Sequence, residues 1–194
     1  LLPACGMSQT GDAFATLAEP VGSNLKTLTI VLIQDGRRTM ICGAAGTFNL
    51  VAESGKIMSL EFTFTGKYKQ IDDSALIAFT NDDDPKPFRF ANAAMTIGSW
   101  QPCVQSLGID IGNNVILREC QSTDDASGYK AALITDRTTM ISVNPEAVLV
   151  ATNDTYGQAL AGTATAFGLV IDDGTDEVNI AAAAVAKINP QAGD

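Results

Sequence analysis

Residues 57–65 alternate with a period of two: Met58, Leu60, Phe62 and Phe64 are apolar, and Ser59, Glu61, Thr63 and Thr65 between them are polar. Successive side chains of a strand point to opposite faces, so this spacing predicts a strand with one face on a core and the other toward water or a polar partner. The same alternation recurs at Leu28, Ile30 and Leu32, and the Asp35-Gly36 step predicts a two-residue hairpin turn onto residues 39–42. Gly43 and Gly46 predict a break before a separate strand at 47–51, where Phe48 and Leu50 share a face. Residues 107–111 alternate again, and Gly112-Asn113-Asn114 tolerates positive φ, which predicts a hairpin onto Val115, Ile116, Leu117 and Arg118. Extended segments follow at 133–137 and 139–143. A last hairpin pairs 165–171 with 177–184 through Asp172-Asp173-Gly174.

Three stretches depart from this rhythm. Residues 1–24 are small and polar, with Gly6, Gly11, Pro20 and Gly22, and read as an irregular lead-in with room for a helical turn. Residues 70–102 form a long excursion: Asp72-Asp73, Asn81-Asp82-Asp83-Asp84, Pro85 and Pro87 solvate it, whereas Phe88, Phe90, Met95, Ile97 and Trp100 are too many apolar groups to leave in water. The excursion is therefore expected to dock, on its own domain or on a neighbouring copy. Asn144-Pro145-Glu146 has the order of an N-cap, a proline at the first helical position and an acid in the first turn. It predicts a helix from about Pro145 toward Leu160, weakened near 152–155 and stopped by Gly162. Residues 185–194 are a polar tail. With about eight or nine short strands and one helix packed on them, the expected fold is mainly β, an antiparallel β-sandwich or partly closed β-barrel. No repeat or linker divides it, so 1–194 is read as a single domain.

Composition sharpens this. Of 194 residues, 46% are hydrophobic and 18% charged, the balance of a folded chain with a sizeable core. The net charge of −10 opposes binding nucleic acid by phosphate neutralisation. There is no histidine, which removes the histidine-activated nucleophiles and, with four cysteines that lack C-x-x-C spacing, the common zinc sites. The acidic run at 81–84 lacks the glycine and distal glutamate of a calcium loop. No cofactor or metal is expected, the cysteines are expected to be free thiols, and no apolar run approaches the roughly 20 residues that span a bilayer. Two other functions fit parts of the sequence. Leu2-Pro3-Ala4-Cys5-Gly6 has the small-Cys-small end of a lipobox and motivates a secreted or lipid-anchored β-sandwich binding module. Glu61 with Asp110 could serve as paired hydrolytic carboxylates, but no spacing brings them together.

The order of landmarks carries a resemblance. Leu2-Pro3-Ala4-Cys5-Gly6-Met7, Gly43-Ala44-Ala45-Gly46-Thr47-Phe48, and the run from Ile57 through Phe64 to Thr65-Gly66-Lys67-Tyr68 come first. Gln105-Ser106-Leu107-Gly108-Ile109-Asp110-Ile111-Gly112-Asn113-Asn114-Val115, Gly128-Tyr129-Lys130, Ile134-Thr135-Asp136-Arg137 and Ala161-Gly162-Thr163 follow in order. Together they resemble the major tail tube proteins of long-tailed, siphovirus-like bacteriophages. The resemblance implies a non-enzymatic virion protein of the phage tail, assembled in the bacterial host cytoplasm. Its copies would form hexameric rings that stack, with other tail proteins, into a hollow channel for DNA ejection. The genome would pass without specific binding, and no membrane would be involved. Relatives of this kind carry strands ahead of the counterpart of Leu2 to Gly6, so strands from upstream or from a neighbour are expected to complete the fold. Within this reading Phe88, Phe90, Trp100 and Arg118 are the expected subunit-interface residues, and Glu61 and Asp110 are the acidic candidates for a lumen.

Overall fold

The computed structural model describes residues 1–18, 20, 24–78, 87–121, 128–172 and 177–185. A 3₁₀ turn at Leu2–Cys5 leads into β1 (Met7–Thr10) and β2 (Ala13–Thr16). Then come β3 (Leu28–Gln34), β4 (Arg37–Glu53), β5 (Ser59–Asp73) and β6 (Ala94–Ile97). The chain continues through β7 (Val104–Asp110), β8 (Asn113–Glu119), β9 (Tyr129–Arg137) and β10 (Met140–Pro145). Helix α1 (Thr155–Ala161) precedes β11 (Ala164–Asp172) and β12 (Glu177–Val185). The largest sheet has the order β10-β7-β4-β3, with β5 also on β4; β12-β11-β6, β8-β9 and β1-β2 form three more. The fold is mainly β with one helix, and among the described residues no sheet closes into a barrel.

The chain divides into two compact units. The first comprises Leu1–Leu50, Leu60–Pro85 and Ile109–Met140. Its centre is β4, where Ala44, Ala45 and Gly46 are buried in succession. A strand with one covered face buries every second residue, so consecutive burial means that both faces are covered here. One face meets Leu25 and the β8-β9 ribbon through Ala132, Ile134, Val115 and Leu117. A second cluster joins Phe48 to Cys5 and Ile111, with Leu2, Met7, Phe62 and Phe64 packed around it. Phe48 and Phe62 lie 5.8 Å apart between centroids, and Phe62 stacks on Phe64 at 5.8 Å and 6°. This is the sandwich the alternation predicts, and each fully buried large side chain in it contributes about 1.5–3 kcal/mol.

The small-residue run 43–46 is not a break between strands: β4 passes through it as one strand of 17 residues. Gly43, with φ 60°, absorbs an extra residue where the pairing slips from Leu28↔Ala44 to Ile30↔Ile41, which is a β-bulge. At Gly46 a Cβ would lie 2.6 Å from the carbonyl oxygen of Thr63 on β5, so only glycine lets the two backbones approach. The Asp-Gly turn forms as expected, with Asp35 and Gly36 both at positive φ between Gln34 and Arg37.

The second unit comprises Val51–Ser59, Lys86–Gly108 and Ile141–Asp194. Its antiparallel sheet pairs β11 with β12 along their length and with β6 through Phe167↔Ile97 and Leu169↔Met95. Phe167, Leu169, Ile171, Met95, Leu107 and Phe90 are buried. The C-terminal part of the excursion thus docks on its own chain: β6 joins this sheet, and Phe90 exchanges backbone bonds with Gly55 and Lys56 at 2.9 Å each.

Four further expectations are corrected. Residues 7–16 of the lead-in are a hairpin rather than irregular, with Met7↔Thr16 and Thr10↔Ala13 in register. The expected hairpin across Gly112 does not form: β7 belongs to the large sheet and β8 pairs with β9, so the chain changes layer at Gly112 (φ 63°). The helix does not begin at Pro145, which ends β10; proline can cap a helix or finish a strand, and pairing with β7 decides. It starts after Asp154, whose side chain accepts from the Gly157 N–H, and stops at Gly162 (φ 61°) as expected. Among the described residues there are twelve strands rather than eight or nine, because the lead-in contributes β1 and β2 and the excursion contributes β6. The acidic run at 81–84, the loop at 122–127, the turn at 173–176 and residues 186–194 of the tail lie outside the described residues.

Candidate assembly surfaces

Two polar side chains of the first unit make several hydrogen bonds each, and they are register partners: Asn113 opens β8 and Arg137 closes β9 opposite it. Asn113 is only 8% exposed. Its Nδ2 donates to the carbonyls of Cys5 (2.7 Å) and Gly46 (2.9 Å), and its N–H donates to Thr47 Oγ1 (3.2 Å). Arg137 Nε donates to Asn113 Oδ1 at 2.8 Å, Nη1 to the Leu17 carbonyl at 3.0 Å, and Nη2 to the Gly6 carbonyl at 2.9 Å and, more weakly, to that of Cys5 at 3.4 Å. Burial lowers the guanidinium's pKa, partly offset by the Cys5 thiolate form. The Cys5 thiol is pushed up to about 11 by desolvation, against the pull of the amino terminus and Arg137. A planar guanidinium fits this role because its donors form a rigid fork.

The strand edges are the second feature. β3 ends the large sheet and β5 pairs only with β4, so among the described residues each has an outer edge without a neighbour. Both carry apolar groups in water: Val31 (43%) and Leu32 (61%) on β3, and Leu60 and Tyr68 on β5, followed by Leu76 and Ile77. Arg38 on β4 pins the end of β5 through a two-pronged bond to Asp72, with Nε–Oδ1 at 2.7 Å. That hydrogen bond holds the Asp72 carboxyl below its ordinary pKa. In the second unit Val148, Leu149 (77%), Val150, Tyr156 and Leu160 (90%) expose an apolar stretch around α1, none of whose residues is buried.

The predicted site residues fall in different environments. Glu61 is exposed on β5, on the opposite face from Phe62. Asp110 is exposed, and its Oδ1 accepts from the Gly112 N–H at 2.8 Å, so it also caps the layer-changing turn. Arg118 is exposed on β8 opposite Ala131. Phe88 and Trp100 are half-buried, whereas Phe90 at 6% exposure is already packed within its own chain and has little surface left for a neighbour. Asn113 and Arg137 were legible only as a turn residue and a strand end. What makes them a clamp is the position of carbonyls more than 100 residues away, and no local signal carries that.

Reactive chemistry finds little support. Among the described residues no three His, Cys, Asp or Glu side chains are grouped to hold a metal ion. A recess of about 310 Å³ over β4, β7 and β10 has Glu53 as its single charged lining residue. The four cysteines are thiols, as expected, rather than disulfides. Cys5, on which the lipid-anchored reading rests, is fully buried in the first unit's core. Among the described residues no helix is long and apolar enough to cross a membrane.

Antiparallel sheets, some with exposed apolar strand edges, make this a mainly β protein. The sequence model of the family described as "Phage tail tube protein" matches residues 8–193, and the chain belongs to that family. No curated protein matches it significantly. It is therefore a structural component of the virion tail, which assembles with itself and with other tail proteins.

Proposed function

We propose that this chain is the repeating subunit of the tail tube, that its copies close into hexameric rings, and that the rings stack into a hollow channel through which the genome is ejected. The whole chain acts as one tube-like subunit, assembled in the host cytoplasm, and it performs no catalysis. The observation that carries this reading is the outer edges of β3 and β5, which have no neighbouring strand among the described residues: a free strand edge is a template for another strand, and exposed Val31, Leu32, Leu60 and Tyr68 add apolar area to bury beside them. A net charge of −10 supports a channel along which DNA slides without sticking. In this reading Phe88, Trp100 and Arg118, which keep solvent-facing surface, lie at subunit contacts, whereas Phe90 is packed within its own chain. Glu61 and Asp110 line the lumen.

Electron microscopy of the purified chain tests this. Concentrated protein is expected to form rings and then tubes with a central channel and six-fold class averages. A monodisperse monomer that forms no ring or tube on prolonged incubation would overturn the reading. Rings of another order would overturn the hexamer alone.

A further inference from the structure

β1 and β2 form a ribbon apart from every other sheet, and residues 9–16 are all exposed. A two-stranded hairpin is marginal alone in water, because it buries too little to offset its ordering. The base of this one is nonetheless held firmly. Gly6, just before β1, and Leu17, just after β2, bond to each other (Leu17 N–H to Gly6 carbonyl, 3.0 Å), and both carbonyls accept from Arg137, at 2.9 Å and 3.0 Å. One guanidinium therefore grips both legs of the hairpin where it leaves the body, and Asn113 fixes that guanidinium through Nε at 2.8 Å. The acceptors are main-chain oxygens, so what is set is the direction of the hairpin. The ribbon's composition says what it is aimed at. Met7-Ser8-Gln9-Thr10 and Ala13-Phe14-Ala15-Thr16 have no acidic or basic side chain, in a chain of net −10, and Asp12 in the turn is the one acidic residue between them. An uncharged strand edge can approach another acidic copy without Coulomb repulsion, and Phe14 supplies an exposed apolar contact.

We propose that Arg137, held by Asn113, is a positioning residue for self-assembly, which aims the β1-β2 hairpin so that it adds edge to edge to a second copy of this chain. The proposal rests on the tube-forming reading above.

The test uses the full chain, with assembly followed by light scattering and the hairpin followed by hydrogen exchange. Arg137→Lys keeps the charge but replaces the fork with a single point donor. It is expected to speed exchange of the hairpin amides by about tenfold or more, leave the β8-β9 amides protected, and slow tube elongation by about tenfold or more, the factors that a loss near 1.4 kcal/mol produces. Phe14→Ser leaves the clamp intact and is expected to slow elongation with hairpin exchange unchanged. The proposal is overturned if either variant elongates at the wild-type rate, or if Arg137→Lys leaves hairpin exchange unaltered. It is also overturned if β8-β9 loses protection together with the hairpin, since Arg137 would then serve the fold alone. Failure of the wild type itself to assemble would overturn the tube reading, and this proposal with it.

Discussion

Cys5 shows how far one position can depart from its sequence context: in a motif reminiscent of a lipobox it is a sealed core residue. Desolvation raises its thiol from 9.0 to about 11. A group whose folded pKa is raised contributes stability that is fully present below its unfolded pKa and lost as pH rises through the folded value. Stability is therefore expected to decline above about pH 9 as the unfolded chain ionises first, and a thiol reagent at pH 8 should label exposed Cys103 at once and Cys5 only on unfolding. Immediate labelling of Cys5 in the native protein would contradict its burial. Phe88 and Phe90, two residues apart, are likewise separated by the fold. Phe90→Ser is expected to cost about 3–5 kcal/mol in denaturant unfolding, as large-to-small core substitutions do. Phe88→Ser, at a half-buried position, should cost markedly less and act mainly on assembly. Equal losses of stability would show that both belong to the core.

At the scale of elements, β4 explains most of the differences between pattern and structure. Read locally, residues 43–46 look like a loop, because glycine and alanine weaken a strand. In the fold they are small because both faces of β4 are covered and β5 passes close to Gly46. The end of β5 is tied back by Arg38 and Asp72. The hydrogen bond from Arg38 lowers the Asp72 pKa, so the pair stabilises above the ordinary carboxylate value of 3.8 and is lost as pH falls through the lowered one. In a carbon-detected NMR titration Asp72 should therefore ionise below 3.8, and Arg38→Met should return it upward. An unchanged midpoint in that variant would mean that the pair is not populated in solution, where salt also screens it.

On the scale of the whole molecule, association sets apolar edges against like charge. Copies with a net charge of −10 repel one another, so tube growth should be limited by long-range electrostatics at low salt. Raising ionic strength from about 0.01 M to about 0.1 M shortens the Debye length from about 30 Å to about 10 Å. Elongation followed by light scattering is expected to quicken over that range. Slower growth instead would mean that interface ion pairs, with Arg118 the first candidate, outweigh the net repulsion. On the same balance, the uncharged β1-β2 ribbon adds no like charge to a contact between acidic copies.

Much of this was legible in the residues. Period-two alternation determined that β5, β3, β7 and β11 are strands and which side chains of each share a face, because side-chain direction in a strand is a local property of the backbone. The Asp35-Gly36 turn and the Gly162 helix stop were local for the same reason, and the lack of histidine and of C-x-x-C spacing spoke against histidine-activated nucleophiles and the common zinc sites without a structure. The tertiary structure decided what depends on distant chain: that β7 and β8 part company at Gly112, that residues 43–46 continue a strand, that Pro145 ends one, and that Asn113 and Arg137 grip the amino-terminal hairpin. Pairing partners and carbonyl positions are set by segments many residues away, and no window of sequence contains both halves of such a contact.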